Sequence, residues 1–128
     1  RGPDGGLRDS VAGLCAGDWP PALIAGSHTT LAVVATDAVL DKPLARRIAT
    51  MGHDGLARTI APLHTPFDGD VVFALGTGRS GQRVDGAVLG TLGAEVLARA
   101  VHNAVWMAEP LDGLPSARSL AAGRQSAP

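Results

Sequence analysis

The 128-residue chain has few of the features that mark secreted or metal-binding proteins. Cys15 is its single cysteine, so no disulfide can form within the chain and no cysteine-rich metal site can be built. Because disulfides accumulate in oxidising compartments, a lone cysteine favours a reducing one. The first ten residues also lack the apolar core that a secretory signal needs. These absences predict a cytoplasmic protein.

Further absences concern binding partners. Eleven basic and twelve acidic residues give a net charge of −1, and the basic residues do not cluster. Nucleic acids and anionic membranes attract clustered lysine and arginine, so neither is expected as a partner. No apolar run reaches the length that crosses a bilayer. The four histidines share no ligand motif such as HExxH, so we expect neither a metal nor another cofactor.

The sequence does contain one unbroken apolar run, in the segment SHTTLAVVAT at residues 27–36. Five apolar residues follow one another from Leu31 to Ala35, a pattern typical of a strand that is covered on both faces. We predict this first strand over residues 30–36. The preceding residues 1–28 are rich in glycine and proline, which predicts a linker with one short turn over residues 11–14.

A helix, a second strand and a second helix are predicted after the first strand. Asp41 is a candidate helix cap, with Pro43 in the first turn, and the helix should end near residue 61, before Pro62. The apolar run VVFAL predicts a strand over residues 71–75, and residues 84–109 predict a helix that is apolar nearly all round. Residues 111–128 predict a flexible tail. The buried stripe of the first helix is expected to contain Leu44, Ile48, Met51, Leu56 and Ile60.

The order strand, helix, strand, helix predicts an α/β fold. If the two strands are neighbours, they must run parallel because a crossover helix joins them. Two strands buried on both faces cannot be covered by two helices alone. We therefore expect that a second polypeptide, or a missing part of a longer chain, completes the sheet.

Thr29, Asp68 and Asp70 are the candidate catalytic residues. In parallel strands, the loop with Asp68 and Asp70 lies at the same end of the sheet as Thr29. If the bond between His28 and Thr29 were cut, the new α-amine, with a pKa of about 8, could take the proton from the Thr29 hydroxyl. The carboxylates could orient that amine or share a proton as a general acid.

Plainer interpretations stand beside this hypothesis. Threonine is common at the start of strands because of its β-propensity, and Asp-Gly-Asp is normally a turn in which Gly69 adopts a positive φ. His64 is close enough to this loop to shape a pocket. In contrast, His53 and His102 fall on the predicted helices at unrelated positions.

Several consecutive motifs resemble one enzyme family in their order and spacing. Residues 29–36 read TTLAVVAT, in which two threonines precede the apolar run. Residues 51–78 read MGHDGLARTIAPLHTPFDGDVVFALGTG. These motifs are similar to those of the L-aminopeptidase/D-esterase family of N-terminal-nucleophile hydrolases, which includes β-peptidyl aminopeptidases and nylon-oligomer hydrolases. The match is close over residues 27–78 and looser over the second helix.

The resemblance implies a role for each candidate residue. It implies a precursor that cuts itself between His28 and Thr29, so that Thr29 becomes the nucleophile at the head of a β chain. Asp68 and Asp70 match the acidic pair of the family. Residues 1–28 would be a linker at the end of the α-chain segment, and residues 29–110 the catalytic portion of the β chain.

The resemblance also implies an architecture and a substrate class. Members of the family fold as an αββα sandwich whose sheet includes the N-terminal α chain of the same precursor, and they assemble as homo-oligomers of αβ units. They hydrolyse small peptides, amides or esters with a free amino end, or ω-amino-acid oligomers, and need no metal.

Some residues depart from the pattern of the family. His28 stands where asparagine or glycine is expected, which alters the rate of cleavage without forbidding it. The aminopeptidase branch carries serine and glutamate at the acidic pair, so Asp68 and Asp70 are more like the nylon-oligomer branch. The lysine or tyrosine and the asparagine that the α chain supplies to the pocket and oxyanion site are not in this sequence. With residues 1–28 attached and no partner, the chain is therefore expected to be inactive.

Three functions follow from these observations. The leading hypothesis is an N-terminal-threonine amide hydrolase that acts through an acyl-enzyme. The second is an acyltransferase of the ornithine acetyltransferase type, which shares the scaffold and a threonine nucleophile. The third is an inactive, truncated paralogue that serves as a structural subunit.

Overall fold

A computed structural model describes residues 8–18 and 28–125, and most of the predicted linker lies outside them. The described residues form a mixed α/β structure, as predicted, although the αββα sandwich itself is not visible in this part of the chain. The elements, in chain order, are α1 (Ser10–Cys15), β1 (Leu31–Thr36), α2 (Lys42–Ala57), β2 (Val71–Gly76), α3 (Gly86–Met107) and α4 (Ala117–Gln125).

The sheet consists of β1 and β2, which pair in parallel as predicted. Leu31 lies opposite Val71, and the register continues to Thr36 opposite Gly76. The pairing also extends before the strands, because the Val71 amide donates to the Thr30 carbonyl at 2.9 Å. The segments that precede β1 and β2 are therefore held side by side.

Helix α2 begins where the sequence predicts but ends earlier. Asp41 caps it by accepting a 2.8 Å hydrogen bond from the Leu44 amide. The helix ends at Ala57 rather than near residue 61. The Thr59 hydroxyl hydrogen-bonds the carbonyls of Gly55 and Leu56, at 3.0 and 3.1 Å. Because this side chain occupies carbonyls at the C-terminus, the last turn tightens and the chain leaves the helix before Pro62.

The core lies between one face of the sheet and the helices α2 and α3. Leu56, Val72 and Leu97 form its buried centre, and Ile48 is also fully buried. Small residues allow the two helices to approach closely: a side chain at Gly55 would overlap the carbonyl of Ala94. Other members of the predicted stripe, Leu44, Met51 and Ile60, are half-buried.

The opposite face of the sheet is exposed in the described residues. Leu31, Val33, Phe73 and Leu75 are 72, 56, 58 and 46% exposed. The expectation that both faces are covered is therefore not met within this part of the chain, because α2 and α3 pack on the same side. For the same reason α3, whose apolar residues lie nearly all round the helix, has one exposed face that contains Val88, Leu92 and Val96.

A fourth helix forms where the composition predicted only a flexible tail. The Ser119 amide donates to the Ser116 hydroxyl at 3.3 Å, and the Leu120 amide donates to the Ser116 carbonyl at 3.1 Å. Ser116 thus satisfies the first amides of α4, as a capping serine does. None of the helices in the described residues is long and apolar enough to cross a membrane.

The close approach of α2 and α3 generates a stability prediction. Replacement of Gly55 by alanine should lower the free energy of unfolding by about 3 kcal/mol, because the new methyl group meets the backbone of Ala94, which cannot rotate away. The control is Gly123→Ala in α4, where an added Cβ has no neighbour within 4 Å. Urea unfolding of both variants measures the difference, and equal stability of Gly55→Ala and the wild type would contradict this packing.

Candidate active site

A cleft of about 850 Å³ opens at the N-terminal ends of β1 and β2. All four residues that the sequence singled out, His28, Thr29, Asp68 and Asp70, line this cleft. Their meeting depends on the parallel pairing, which aligns the residues before one strand with those before the other. The predicted juxtaposition of Thr29 with the acidic loop is therefore present in the structure.

Gly69 is the residue that contacts both sides of the bond between His28 and Thr29. Its amide donates to the His28 carbonyl at 3.0 Å. A Cβ added to Gly69 would lie 2.8 Å from the Thr29 hydroxyl oxygen. Gly69 was expected to provide a positive φ, but its φ is not in that region. It is instead required because Thr29 occupies the space that a side chain would fill.

Asp70 has a carboxylate that is almost fully shielded from solvent, with a side chain only 3% exposed. One of its oxygens accepts from the Thr30 amide at 2.9 Å, and the other accepts from the His64 amide at 3.2 Å. Burial alone would raise the pKa of Asp70, but hydrogen bonds from Thr30 and His64 and the charge of His64 together lower it. Asp70 is therefore an anion fixed beside the residue that follows Thr29.

Asp68 has a different environment, although it also lines the cleft. Its carboxylate accepts from the Thr65 amide at 2.7 Å, and its own amide donates to the Thr65 carbonyl at 3.0 Å. This pair of bonds closes the turn that carries the acidic loop. Asp68 thus shapes the loop, and its half-buried side chain remains at the cleft wall.

His64 lies beside the acidic loop, as the sequence indicated, but the sequence did not predict that His53 would contact it. His64 Nδ1 lies 3.0 Å from Asp70 Oδ2, and His64 Nε2 lies 3.1 Å from His53 Nδ1. His53 comes from α2 and was assigned to an unrelated position, because no spacing rule connects it with a loop residue eleven positions later. Within the described residues, no group of three or more His, Cys, Asp or Glu side chains converges as metal ligands do.

The segment around α1 forms another wall of the cleft. Arg8, Leu14 and Asp18 line it, and Arg8 forms an ion pair with Asp18. Asp9 caps α1 by accepting a 3.0 Å hydrogen bond from the Ala12 amide. The predicted short turn at residues 11–14 is thus part of a capped helix that lines the same cleft as Thr29.

The lowered pKa of Asp70 predicts acid sensitivity. A carboxyl group whose pKa is lower in the folded state stabilises the fold above its unfolded pKa of about 3.9, and this contribution is lost as the pH falls through the folded pKa. We expect Asp70→Asn to be less stable than the wild type by about 1–3 kcal/mol at pH 6, because it presents an amide N–H to the donors of His64. This difference should shrink below about pH 4, as measured by urea unfolding.

The matched control is Glu95→Gln. Hydrogen bonds and charges from Arg99 and Arg58 also lower the pKa of Glu95, but its side chain is 45% exposed, so its removal should change stability much less. A difference between Asp70→Asn and the wild type that is the same at pH 3 and pH 6 would contradict the prediction.

Comparison with known proteins places this chain in a family. The profile of Peptidase family S58 matches residues 6–118. An uncharacterized aminopeptidase of Mycobacterium tuberculosis is 43% identical over 109 residues, which cover 75% of this chain and 32% of the relative. An uncharacterized aminopeptidase of Mycobacterium leprae is 42% identical over 102 residues, covering 70% of this chain and 28% of the relative.

The chain spans about a third of the length of the curated relatives it matches. The family profile, in contrast, covers nearly the whole chain, including α1, both strands and the residues that line the cleft. On this evidence the chain belongs to Peptidase family S58.

Proposed function

We propose that this chain carries the nucleophile of an amide hydrolase that activates itself by cleavage between His28 and Thr29. The observation that carries this proposal is the position of Gly69. Its amide hydrogen-bonds the carbonyl that would be attacked, at 3.0 Å, and its Cα faces the hydroxyl that would attack. Gly69 thus lies next to the carbonyl that would be cleaved and to the hydroxyl that would attack it, and its amide is the hydrogen-bond donor to that carbonyl.

Self-cleavage follows from this arrangement in two steps. The Thr29 hydroxyl oxygen bonds to the carbonyl carbon of His28, the peptide C–N bond breaks, and the hydroxyl proton passes to the departing nitrogen. Water then hydrolyses the resulting ester, which releases the His28 carboxylate and restores the hydroxyl. The amide N–H of Gly69 stabilises the negative charge that develops on the carbonyl oxygen.

After cleavage, Thr29 carries both the nucleophile and its base. The free α-amine takes the proton from the hydroxyl, which attacks the substrate carbonyl. The proton then passes to the leaving amine, and water hydrolyses the acyl-enzyme. Asp70 is already fixed to the Thr30 amide, one residue away, so its negative charge stabilises the cationic form of the amine during each cycle.

The substrate that suits the cleft is a short peptide, or an oligomer of ω-amino acids, with a free amino end. Ile60, Leu63 and Phe67 provide an apolar wall for an aliphatic segment. Asp68, at the edge of the same cleft, provides a negative charge for a terminal ammonium group. The names of the mycobacterial relatives, which are aminopeptidases, agree with a substrate of this class.

The exposed apolar face of the sheet is an argument that another polypeptide packs against this chain. We propose that the N-terminal α chain of the same precursor covers Leu31, Val33, Phe73 and Leu75, and that the αβ units form a cytoplasmic homo-oligomer. Contiguous apolar patches of this kind mark interaction surfaces. The relatives are about three times as long as the matched region, which leaves enough chain for such a partner.

Replacement of Thr29 tests the nucleophile directly. In the protein as it is encoded, Thr29→Ala should prevent cleavage after His28 and abolish amide hydrolysis, because no hydroxyl remains to attack. Thr29→Ser should retain both at a reduced rate, and Thr50→Ala, at an exposed position on α2, should change neither. Intact-mass spectrometry measures cleavage, and a wild type that stays uncleaved on long incubation would refute self-activation.

Replacement of Gly69 by alanine tests the observation on which the proposal depends. We expect cleavage to slow about 100-fold, because a displacement of about 1 Å at the reacting atoms has an effect of this size. The matched control is Gly86→Ala, where the new Cβ would also lie 2.8 Å from its neighbour, but this is the mobile tip of Leu44. Cleavage of Gly69→Ala at the wild-type rate would contradict the assigned role.

A further inference from the structure

A series of hydrogen-bonded side chains leads from Asp70 through His64 to His53, toward the surface. Asp70 Oδ2, His64 Nδ1, His64 Nε2 and His53 Nδ1 follow one another with separations of 3.0 and 3.1 Å between partners. The two imidazole rings lie 4.8 Å apart with an angle of 56° between them. The three residues come from α2, the loop after it and the residue before β2, so only the folded chain brings them together.

The hydrogen-bond chemistry allows one arrangement of protons when both rings are neutral. An ionised carboxylate only accepts hydrogen bonds, so the proton of His64 must be on Nδ1. The Nε2 atom of His64 is then an acceptor, so the proton of His53 must also be on Nδ1. The tautomer of each histidine is therefore fixed by its neighbour, in a sequence that begins at Asp70.

His64 holds the carboxylate with its backbone as well as with its ring. Its amide donates to the same Asp70 oxygen at 3.2 Å. Its φ is +58°, a left-handed conformation that is uncommon for residues other than glycine, although asparagine, aspartate and histidine adopt it more often than the rest. This conformation aims both donors of one residue at one oxygen and leaves the second oxygen of Asp70 for the Thr30 amide.

We propose that His64 is a positioning residue for the hydrolase. It holds Asp70 ionised and directed at the head of β1, and the hydrogen bond that His53 donates to His64 Nε2 supports the tautomer that Asp70 sets. This inference rests on the proposed function, because the carboxylate it positions acts on the Thr29 amine. The titratable groups that contact the His64 ring in the described residues are Asp70 and His53.

Two substitutions of His64 separate its side chain from its backbone. Glycine and asparagine both tolerate the positive φ, but only asparagine retains a side-chain N–H near the position of Nδ1. In the protein as it is encoded, His64→Gly should lower kcat about 10- to 100-fold, with KM changed less than about 3-fold. His64→Asn should restore most of the lost activity, whereas a merely structural role would not distinguish the two variants after correction for stability.

A spectroscopic measurement tests the inference without activity. In ¹⁵N-histidine-labelled protein, the ring of His64 should be the Nδ1–H tautomer in the wild type. It should lose this preference in Asp70→Asn, and His53→Ala should weaken it. His102, which is exposed on α3, serves as the internal reference for an unconstrained ring. An Nε2–H tautomer of His64 in the wild type would overturn the inference.

The outcomes distinguish the inference from the proposed function. A wild type that neither cleaves itself nor hydrolyses amides overturns the proposed function, and the positioning role with it. A cleaved and active wild type whose kcat is matched by His64→Gly overturns the positioning role alone. Reduced kcat in His64→Gly, recovery in His64→Asn and an Asp70-dependent Nδ1–H tautomer together support it.

Discussion

The parallel pairing of β1 and β2, continued past the start of both strands, is the constraint on which the rest of the structure depends. The hydrogen bond from the Gly69 amide to the His28 carbonyl is the outermost member of this ladder. This hydrogen bond therefore extends the sheet and also engages the carbonyl of the peptide bond between His28 and Thr29, which is the bond proposed to be cleaved. A shift of the strand register by one residue would turn the side chains of the shifted strand to the opposite face of the sheet. It would also move Thr29 away from Gly69 and Asp70.

The helices maintain this register from one side only. α2 links the strands and packs with α3 against Val34 and Val72, and Gly55 allows the helix backbones to meet. This packing leaves the outer face of the sheet apolar and exposed in the described residues, and contiguous apolar patches of this kind mark interaction surfaces. The cleft lies at the N-terminal ends of the two strands, beyond the part of the sheet that α2 and α3 cover.

The electrostatics of the site centre on one buried anion. Asp70 receives donors from Thr30, at the head of β1, and from His64, in the loop before β2. These donors outweigh the effect of burial and keep the pKa of Asp70 low. The carboxylate therefore connects the start of β1 to the pair of histidines, and its orientation depends on both.

Much of the local structure was predictable because its signals are short-range. Unbroken apolar runs predicted both strands, and Asp41 with Pro43 predicted the start of α2. The crossover helix between neighbouring strands then required parallel pairing, which placed Thr29 beside the acidic loop. The capping role of Ser116 is also a local signal, but the small, polar composition of the tail concealed it. The early end of α2 was missed because it depends on which carbonyls the Thr59 hydroxyl occupies.

The amino-acid sequence by itself determined both strands, their parallel pairing, the start of α2 and the meeting of His28, Thr29, Asp68 and Asp70 at one end of the sheet, since each follows from neighbouring residues or from chain connectivity. The tertiary structure alone decided that Gly69 makes room for the Thr29 hydroxyl rather than forming a left-handed turn. It also decided that His53 reaches His64, and that α1 faces the cleft. These contacts join residues far apart in the chain, and their distances depend on how helices and loops pack, which no local pattern encodes.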